Sequence, residues 1–363
     1  MSCHMQKFES VLIRVDCNVP MQNGKIIDHS RIDAVLPEIA YWKSKAKRCI
    51  LMSHLGRPQG EDSAFSLEAV ASYLTKKLDS PVPLCRSIYE ELPDVPVCML
   101  ENIRFYTDEY ADDSAFSKHL AKLADHFVYD AFSVAHRRHA SCHEIFKHVR
   151  SYGFGQLYQE EIAALEKISD ATLKRAFLIG GAKTETKIKL LKHLLELADD
   201  IFIGGVIGHT FLAAQGVDMT GAKYDQDSVP LARQILDDAK RQGVRIHLPI
   251  DAVSDQGEVV SFGQGQALFD IGPQTLQNWQ KHLRGCEQIV WNGPLGYYED
   301  ERFVASRQMA DFLAKQSSSV MIGGGDTLAV ITNPGEFDHV STGGGAFLYY
   351  LEKQRFPHTE LLK

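Results

Sequence analysis

Short apolar runs and amphipathic stretches alternate along almost the whole chain. Runs rich in Val, Ile and Leu recur at "VLIRVD" (11–16), "CILMSH" (49–54), "VCMLEN" (97–102) and "HFVYDAF" (126–132). A second series follows at "AFLIGGA" (176–182), "DIFIGG" (200–205), "RIHLPIDAV" (245–253), "QIVWNGP" (288–294) and "SVMIGGGD" (319–326). Continuous apolar runs of this length predict strands buried on both faces. Between them lie helical patterns such as "SLEAVASYLTKKL" (66–78) and "KIKLLKHLLELA" (187–198), in which Ile188, Leu191, Leu195 and Ala198 share one face. Strands alternating with helices predict an α/β chain of two lobes, each a parallel β-sheet flanked by helices in a Rossmann-like three-layer arrangement. The helical "LYQEEIAALEKIS" (157–169) separates the two series and predicts an interdomain helix between lobes at 1–156 and 170–349.

Parallel sheets bind ligands beyond the carboxyl ends of their strands, and the unusual residues of this chain sit there. Up to about residue 150 those ends and the loops after them carry Arg14, Asp16, Asn18, Arg31, His54, Arg57, Arg104 and Arg137. The arginine fork donates two parallel hydrogen bonds to phosphate or carboxylate. "HLGRP" (54–58) sets His54 and Arg57 in one turn, and "AHRRHAS" (135–141) packs two arginines and two histidines into seven residues. Any one arginine is more often a surface or ion-pair residue; their shared placement points to a small polyanion. His139 and His143, at i,i+4 with Cys142 nearby, offer a zinc pair. Against it stand a missing third ligand and arginines that would repel a cation.

Beyond about residue 175 the strand ends carry glycines. "IGGAK" (179–183), "IGGVIG" (203–208), "WNGPLG" (291–296), "IGGGD" (322–326) and "STGGGA" (341–346) are five such clusters. Glycines let a ligand approach the backbone and leave N–H groups to face phosphate oxygens. Lys183 and Lys187 lie one turn apart at a helix start, where two cations are unfavourable unless an anion sits beside them. The spacing is not that of a Walker loop. Asp326 is either a Mg²⁺ anchor or a helix N-cap, and Thr327 beside it keeps both readings open. No G-x-G-x-x-G with a following acidic residue is present, so a nicotinamide dehydrogenase is unsupported.

Composition narrows the class without changing this picture. The chain has 363 residues, 44% hydrophobic and 24% charged, which suits a globular protein of two domains. A formal net charge of −8 argues against a general nucleic-acid binder. Seven scattered cysteines without C-x-x-C suggest reduced thiols rather than a disulfide framework or a zinc ribbon. "MSCHMQKFES" has no apolar h-region and no run approaches membrane-spanning length, so the expectation is a cytoplasmic protein without nucleic-acid or membrane partners.

Taken in order, "RVDCNVP" (14–20), "SHLGRP" (53–58), "LENIRF" (100–105), "DAFSVAHRRHAS" (130–141), "GGAKTETKI" (180–188), "LPIDAV" (248–253), "FDIGP" (269–273), "WNGPLG" (291–296), "GGGDT" (323–327) and "STGGGA" (341–346) resemble the signature stretches of the phosphoglycerate kinases. The resemblance implies a two-lobed enzyme with a cleft and a hinge helix, its tail of about 350–363 packing back on the first lobe. It implies reversible, Mg²⁺-dependent phosphoryl transfer between 1,3-bisphosphoglycerate and ADP, giving 3-phosphoglycerate and ATP, by a monomer. By the family pattern Asp16, Asn18, Arg31, His54, Arg57, Arg104 and Arg137 hold 3-phosphoglycerate. Arg31, Lys183 and Gly344 are the catalytic set. Gly181, Lys187, Gly204, Gly205, Asn292, Pro294, Glu299, Gly324, Gly325, Asp326 and Thr327 serve the nucleotide, with Asp326 on Mg²⁺ and Gly343 to Gly345 donating backbone N–H groups.

Some positions depart from that pattern. Thr186 stands where Asp is usual, Val206 where a third glycine is, Tyr129 where Asn is, and Arg138 where Ala is common. "IGHTF" replaces "MAFTF", "FLYYLEKQ" replaces "SLELLEGK", and the chain is somewhat short. Every lysine and arginine of the implied site, and Asp326, is retained. The expectation is an active but divergent kinase; the alternative is a catalytically weak relative that binds nucleotide or 3-phosphoglycerate.

Overall fold

The run FESVLIRV forms strand β1 (Phe8–Val15), whose last five residues are fully buried. That pattern fits a central strand covered on both faces, and β1 indeed pairs on both sides. Its neighbours are β2 (Ala46–Met52) and β5 (His126–Asp130), with Val11 in register with Cys49 and His126. With β3 (Leu84–Cys85), β4 (Val97–Leu100) and β6 (Tyr152–Phe154) they make a six-stranded sheet, all pairs parallel, in the order β3-β4-β2-β1-β5-β6. The helix Ser30–Lys45 lays Ile32, Val35 and Ile39 on this sheet, and Glu68–Lys77 adds Val70, Ala71 and Leu74. The structure, a computed structural model, describes residues 8–169 and 172–362, without the side chains of Ser169 and Thr186.

The second series builds a second sheet of the same kind. Its strands are β7 (Arg175–Ile179), β8 (Asp200–Ile203), β9 (Arg245–His247), β10 (Gln288–Asn292), β11 (Ser319–Gly323) and β12 (His339–Ser341). They run in the order β9-β8-β7-β10-β11-β12, again all parallel. Its core gathers Trp279 and Trp291 with Leu283, Met309 and Ile322. The expected parallel α/β sheets are thus present.

One expected strand divides. "RIHLPIDAV" contributes β9 to the parallel sheet, then breaks at Pro249 and re-forms as Ala252–Ser254, which pairs antiparallel with Val259–Val260 and Leu268–Ile271. Proline cannot donate to a ladder and restricts the residue before it, which places the break. The two- and three-residue strands β3, β6 and β12 fall below what hydrophobic periodicity resolves.

The chain forms two compact units, Met1–Ile162 with Arg355–Lys363, and Ala163–Gln354. The boundary falls inside the helix Gln156–Glu166. In the first unit Asp130 Oδ1 accepts from the Tyr158 N–H at 2.8 Å, and Glu38 Oε2 from the Gln156 N–H at 3.0 Å, so two buried carboxylates anchor the first turn. The chain end joins that unit through His358, fully buried, whose Nε2 lies 2.8 Å from the Tyr158 hydroxyl. No helix among the described residues is long and apolar enough to cross a membrane.

Candidate functional site

In the first unit the loops after β1, β2 and β4 are laced together. Arg31 donates to Asp16 Oδ2 at 2.8 Å and to the Asn18 carbonyl at 3.3 Å. Asp16 also accepts from the Asn18 N–H at 2.9 Å and from the Ser133 hydroxyl. Asn18 Oδ1 accepts from the Gly56 N–H at 2.9 Å, and Arg104 donates to the Gly56 carbonyl at 2.7 Å. Gly56 has φ +61, and a Cβ there would overlap the Phe65 ring. Asp16, Asn18, Arg31 and Arg104 therefore meet around one turn, with Arg57 exposed at its tip.

Arg14 stands apart from this turn. It is fully buried, donating to Ser141 Oγ at 3.0 Å and the Val15 carbonyl at 2.7 Å, with the buried Glu109 as its nearest acidic partner through Ser141. Its remaining amine donates to His54 Nδ1 at 3.2 Å. A guanidinium cannot accept, so His54 carries its proton on Nε2 and is a neutral donor. Burial first, and Arg14, Arg104 and Arg31 after it, hold that imidazole well below the usual histidine range. Burial first, then Arg137, Arg104 and Arg57, bring His136 to about 4, and burial, then Arg104, Arg137 and Arg14, bring His139 to about 3. Histidines kept neutral by burial, with arginines adding to it, mark a positive field that an anion would relieve.

The zinc pair is not assembled. His143 Nδ1 bonds to Asp112 Oδ2 at 2.6 Å and its Nε2 meets Arg138, while His139 sits among the arginines and nearest Glu109. The side chains of Asp112, His143 and Glu144 do lie together, but Arg138 occupies His143 Nε2 and Lys147 pairs with Glu144.

In the second unit the glycine loops touch backbone to backbone. The Gly180 N–H bonds to the Asn292 carbonyl at 3.0 Å, Gly205 N–H to the Leu295 carbonyl at 2.7 Å, and Gly293 N–H to Thr327 Oγ1 at 2.7 Å. A Cβ on Gly180 would collide with the Pro294 carbonyl, one on Gly205 would lie 2.9 Å from Gly181, and one on Gly344 2.7 Å from the Gly324 Cα. Close approach is therefore the reason for these glycines, and the N–H groups of Gly180, Gly204, Gly205 and Gly293 are already bonded within the protein. Thr327, fully buried, also donates to the Gly323 carbonyl, and Asn292 Nδ2 donates to the same oxygen at 2.6 Å. These two side chains tie the β10 loop to the β11 loop.

The two lysines behave differently. The helix Thr184–Leu194 has Lys183 as its N-cap, exposed, while Lys187 folds back so that Nζ donates to the Gly180 carbonyl at 2.7 Å. Burial chiefly, and Lys183 next to it, lower Lys187 to about 8 despite the attraction of Asp326. Thr186 lies between them, its side chain outside the described residues. Asp326 is not the N-cap: Gly324 is, with φ +105, and the carboxylate stands exposed in the first turn of Gly325–Leu328.

A cavity of about 410 Å³ opens beside these loops, within the usual range for small-molecule pockets. Of the expected nucleotide residues it brings together Gly181, Gly205, Pro294, Glu299 and Asp326. Its wall also includes Val206, His209, Lys223 and Tyr297, which motif reasoning did not assign; the only signal for His209 was the departure "IGHTF".

The phosphoglycerate kinase family model matches residues 5–354. Among curated relatives, the phosphoglycerate kinase of Syntrophobacter fumaroxidans is 38% identical over 97% of this chain and 95% of its own length. That of Dictyoglomus turgidum is 37% identical over 98% and 96%. Among solved structures, phosphoglycerate kinase from Coxiella burnetii superposes with a TM-score of 0.90 at 33% identity, covering 99% of this chain and 97% of its own. The enzyme from Pyrococcus horikoshii gives 0.81 at 30% identity, covering 99% and 96%.

Proposed function

The chain belongs to the phosphoglycerate kinase family, and from that premise we propose how its residues divide the reaction. The activity is the reversible transfer of a phosphoryl group between 1,3-bisphosphoglycerate and ADP, giving 3-phosphoglycerate and ATP. The first unit takes 3-phosphoglycerate. Arg31, Arg57, Arg104 and Arg137 supply charge, His54 supplies a neutral N–H donor, and Asp16 and Asn18 orient Arg31 and the Gly56 turn. The second unit takes the nucleotide in its cavity, with Lys187 on the phosphates and Asn292 and Thr327 keeping the glycine loops in contact.

Phosphoryl transfer asks for alignment and for neutral surroundings of the equatorial oxygens rather than for covalent help. Lys183 meets the travelling group, Arg31 balances the acyl-phosphate end, and the Gly344 N–H at the head of Gly344–Lys353 adds a backbone donor. Mg²⁺ fits Asp326: an exposed carboxylate lining the nucleotide cavity is a single hard-oxygen ligand of the kind that shares this ion with substrate phosphates. When bound, the ion would neutralise phosphate charge. A cytoplasmic monomer completes the proposal.

The observation that carries this reading is the segregation of chemistries. Every residue of the basic set belongs to the first unit, and every glycine loop, both lysines and Asp326 belong to the second. Full-length agreement with relatives named as kinases does not favour a weak binding relative. Lys183→Ala tests it: turnover in a coupled assay should fall by about two orders of magnitude or more with little change in nucleotide affinity, as for an interaction made mainly in the transition state. A loss confined to affinity would contradict the role.

A further inference from the structure

The buried imidazole of His209 is a feature of the second unit that the reaction does not explain. It lies in the helix Gly205–Ala214, which is otherwise among the most apolar stretches of the unit, and it lines the cavity assigned above to the nucleotide. Only 7% of it is exposed. Its Nδ1 is 2.9 Å from the Lys223 carbonyl. A carbonyl oxygen can only accept, so Nδ1 carries the proton and Nε2 presents a lone pair. Among the described residues Nε2 has no protein partner. An acceptor that lines a cavity without a protein donor is open to a hydrogen bond from a ligand held there.

The surrounding wall limits what that ligand atom can be. Val206, Leu268, Leu295 and Tyr297 offer apolar and aromatic surface suited to a flat base. The phosphate end is marked instead by Gly181 and Asp326, on the loops that hold Lys187. A base in this cavity that carries an exocyclic amino group supplies the missing N–H. A base with a carbonyl at the same place sets oxygen against nitrogen lone pair.

Resting on the assignment of the cavity to the nucleotide, we propose that His209 is a specificity-determining residue that accepts a hydrogen bond from the 6-amino group of the purine, selecting adenine over 6-oxopurine nucleotides. The hydrogen bond from Nδ1 to the Lys223 carbonyl is what fixes the tautomer, so selection depends on backbone geometry as well as on the ring.

The test compares ADP with IDP, which differ at C6 and its neighbouring N1 proton, in wild type and in His209→Phe. Phenylalanine keeps a ring of similar breadth in a helix that already carries Phe211. Wild type should use ADP about tenfold better than IDP in kcat/KM, and His209→Phe should bring the ratio close to one, mainly by raising KM for ADP. An unchanged ratio in the folded variant overturns the proposal. GDP provides a second arm, since it keeps the 6-oxo group and adds a 2-amino group; wild-type preference for GDP equal to that for ADP would also overturn it. Val206→Trp separates this from the cavity assignment. If filling the cavity abolishes ADP binding while 3-phosphoglycerate binding persists, an unchanged ADP-to-IDP ratio refutes His209 alone. If Val206→Trp leaves ADP binding intact, the cavity assignment itself fails.

Discussion

Lys187 provides a prediction whose size follows from its surroundings. In the free protein its ammonium is half-buried, held by the Gly180 carbonyl at 2.7 Å and more loosely by the Asn292 carbonyl at 3.4 Å. Burial outweighs the pull of Asp326, and the pKa drops from 10.5 to about 8. The amine is therefore charged below pH 8 and loses its proton as pH rises through that value. A bound phosphate favours the ammonium and returns the pKa toward its ordinary range, so nucleotide binding takes up a proton near and above pH 8. Each unit of restored pKa is worth about 1.4 kcal/mol, so the coupling reaches at most about 3.5 kcal/mol, solvent screening of a half-buried group making this an upper bound. Calorimetric titration with ADP, in buffers matched in pH but differing in ionisation enthalpy, counts the proton. The expected uptake is about half a proton at pH 8 and little at pH 7, with affinity weakening about fivefold from pH 8 to 9. Above pH 7.5 the terminal phosphate is already ionised and adds little. Lys187→Met should abolish both effects. Flat affinity from pH 7 to 9 with no proton uptake in the wild type would refute the reasoning.

Three further outcomes follow from the geometry. Gly293→Ala places a Cβ against the Gly180 carbonyl and Lys187 Nζ at φ +92, so it should destabilise the protein by about 2 kcal/mol or more and raise KM for ATP, read by urea denaturation and kinetics; an unaltered midpoint would count against the contact argument. Arg14→Met should lower stability by about 3 kcal/mol by leaving Glu109 buried without its charge partner, whereas Arg57→Ala at the exposed tip should leave stability within about 0.5 kcal/mol and raise KM for 3-phosphoglycerate. The reverse pattern would undo the distinction between the buried Arg14 and the exposed Arg57. Asp130, pushed up to about 7 by burial, binds its proton more tightly folded than unfolded, so its contribution to stability is present below pH 4 and is lost as pH rises to 7. Asp130→Asn should flatten that part of the urea midpoint-versus-pH curve; an unchanged slope would reject it.

The parallel strands were legible because they are continuous runs bounded by polar or glycine residues, and β1, β2, β5, β7, β8, β10 and β11 lie where those runs are. Strands β3, β6 and β12 were not, since two or three residues carry no period and exist only through the neighbour they pair with. At the candidate site, residue type identified the clusters but not which way each side chain turns. Arg14 and Arg57 are the same residue at adjacent strand ends, one fully buried against Ser141 and one exposed. The glycines suggested free N–H groups, but four of those groups are bonded within the protein to partners distant in sequence, as Gly180 is to the Asn292 carbonyl. His209 was visible only as a departure, because its tautomer is set by the Lys223 carbonyl, which no motif records.

The division of the two substrates between the two units is tested most directly by initial-rate kinetics with 3-phosphoglycerate and ATP both varied, in Arg31→Ala and Lys187→Ala side by side. Arg31→Ala should raise KM for 3-phosphoglycerate by about tenfold or more and leave KM for ATP within about twofold, and Lys187→Ala should do the opposite. Equal changes in both constants in either variant would contradict the division.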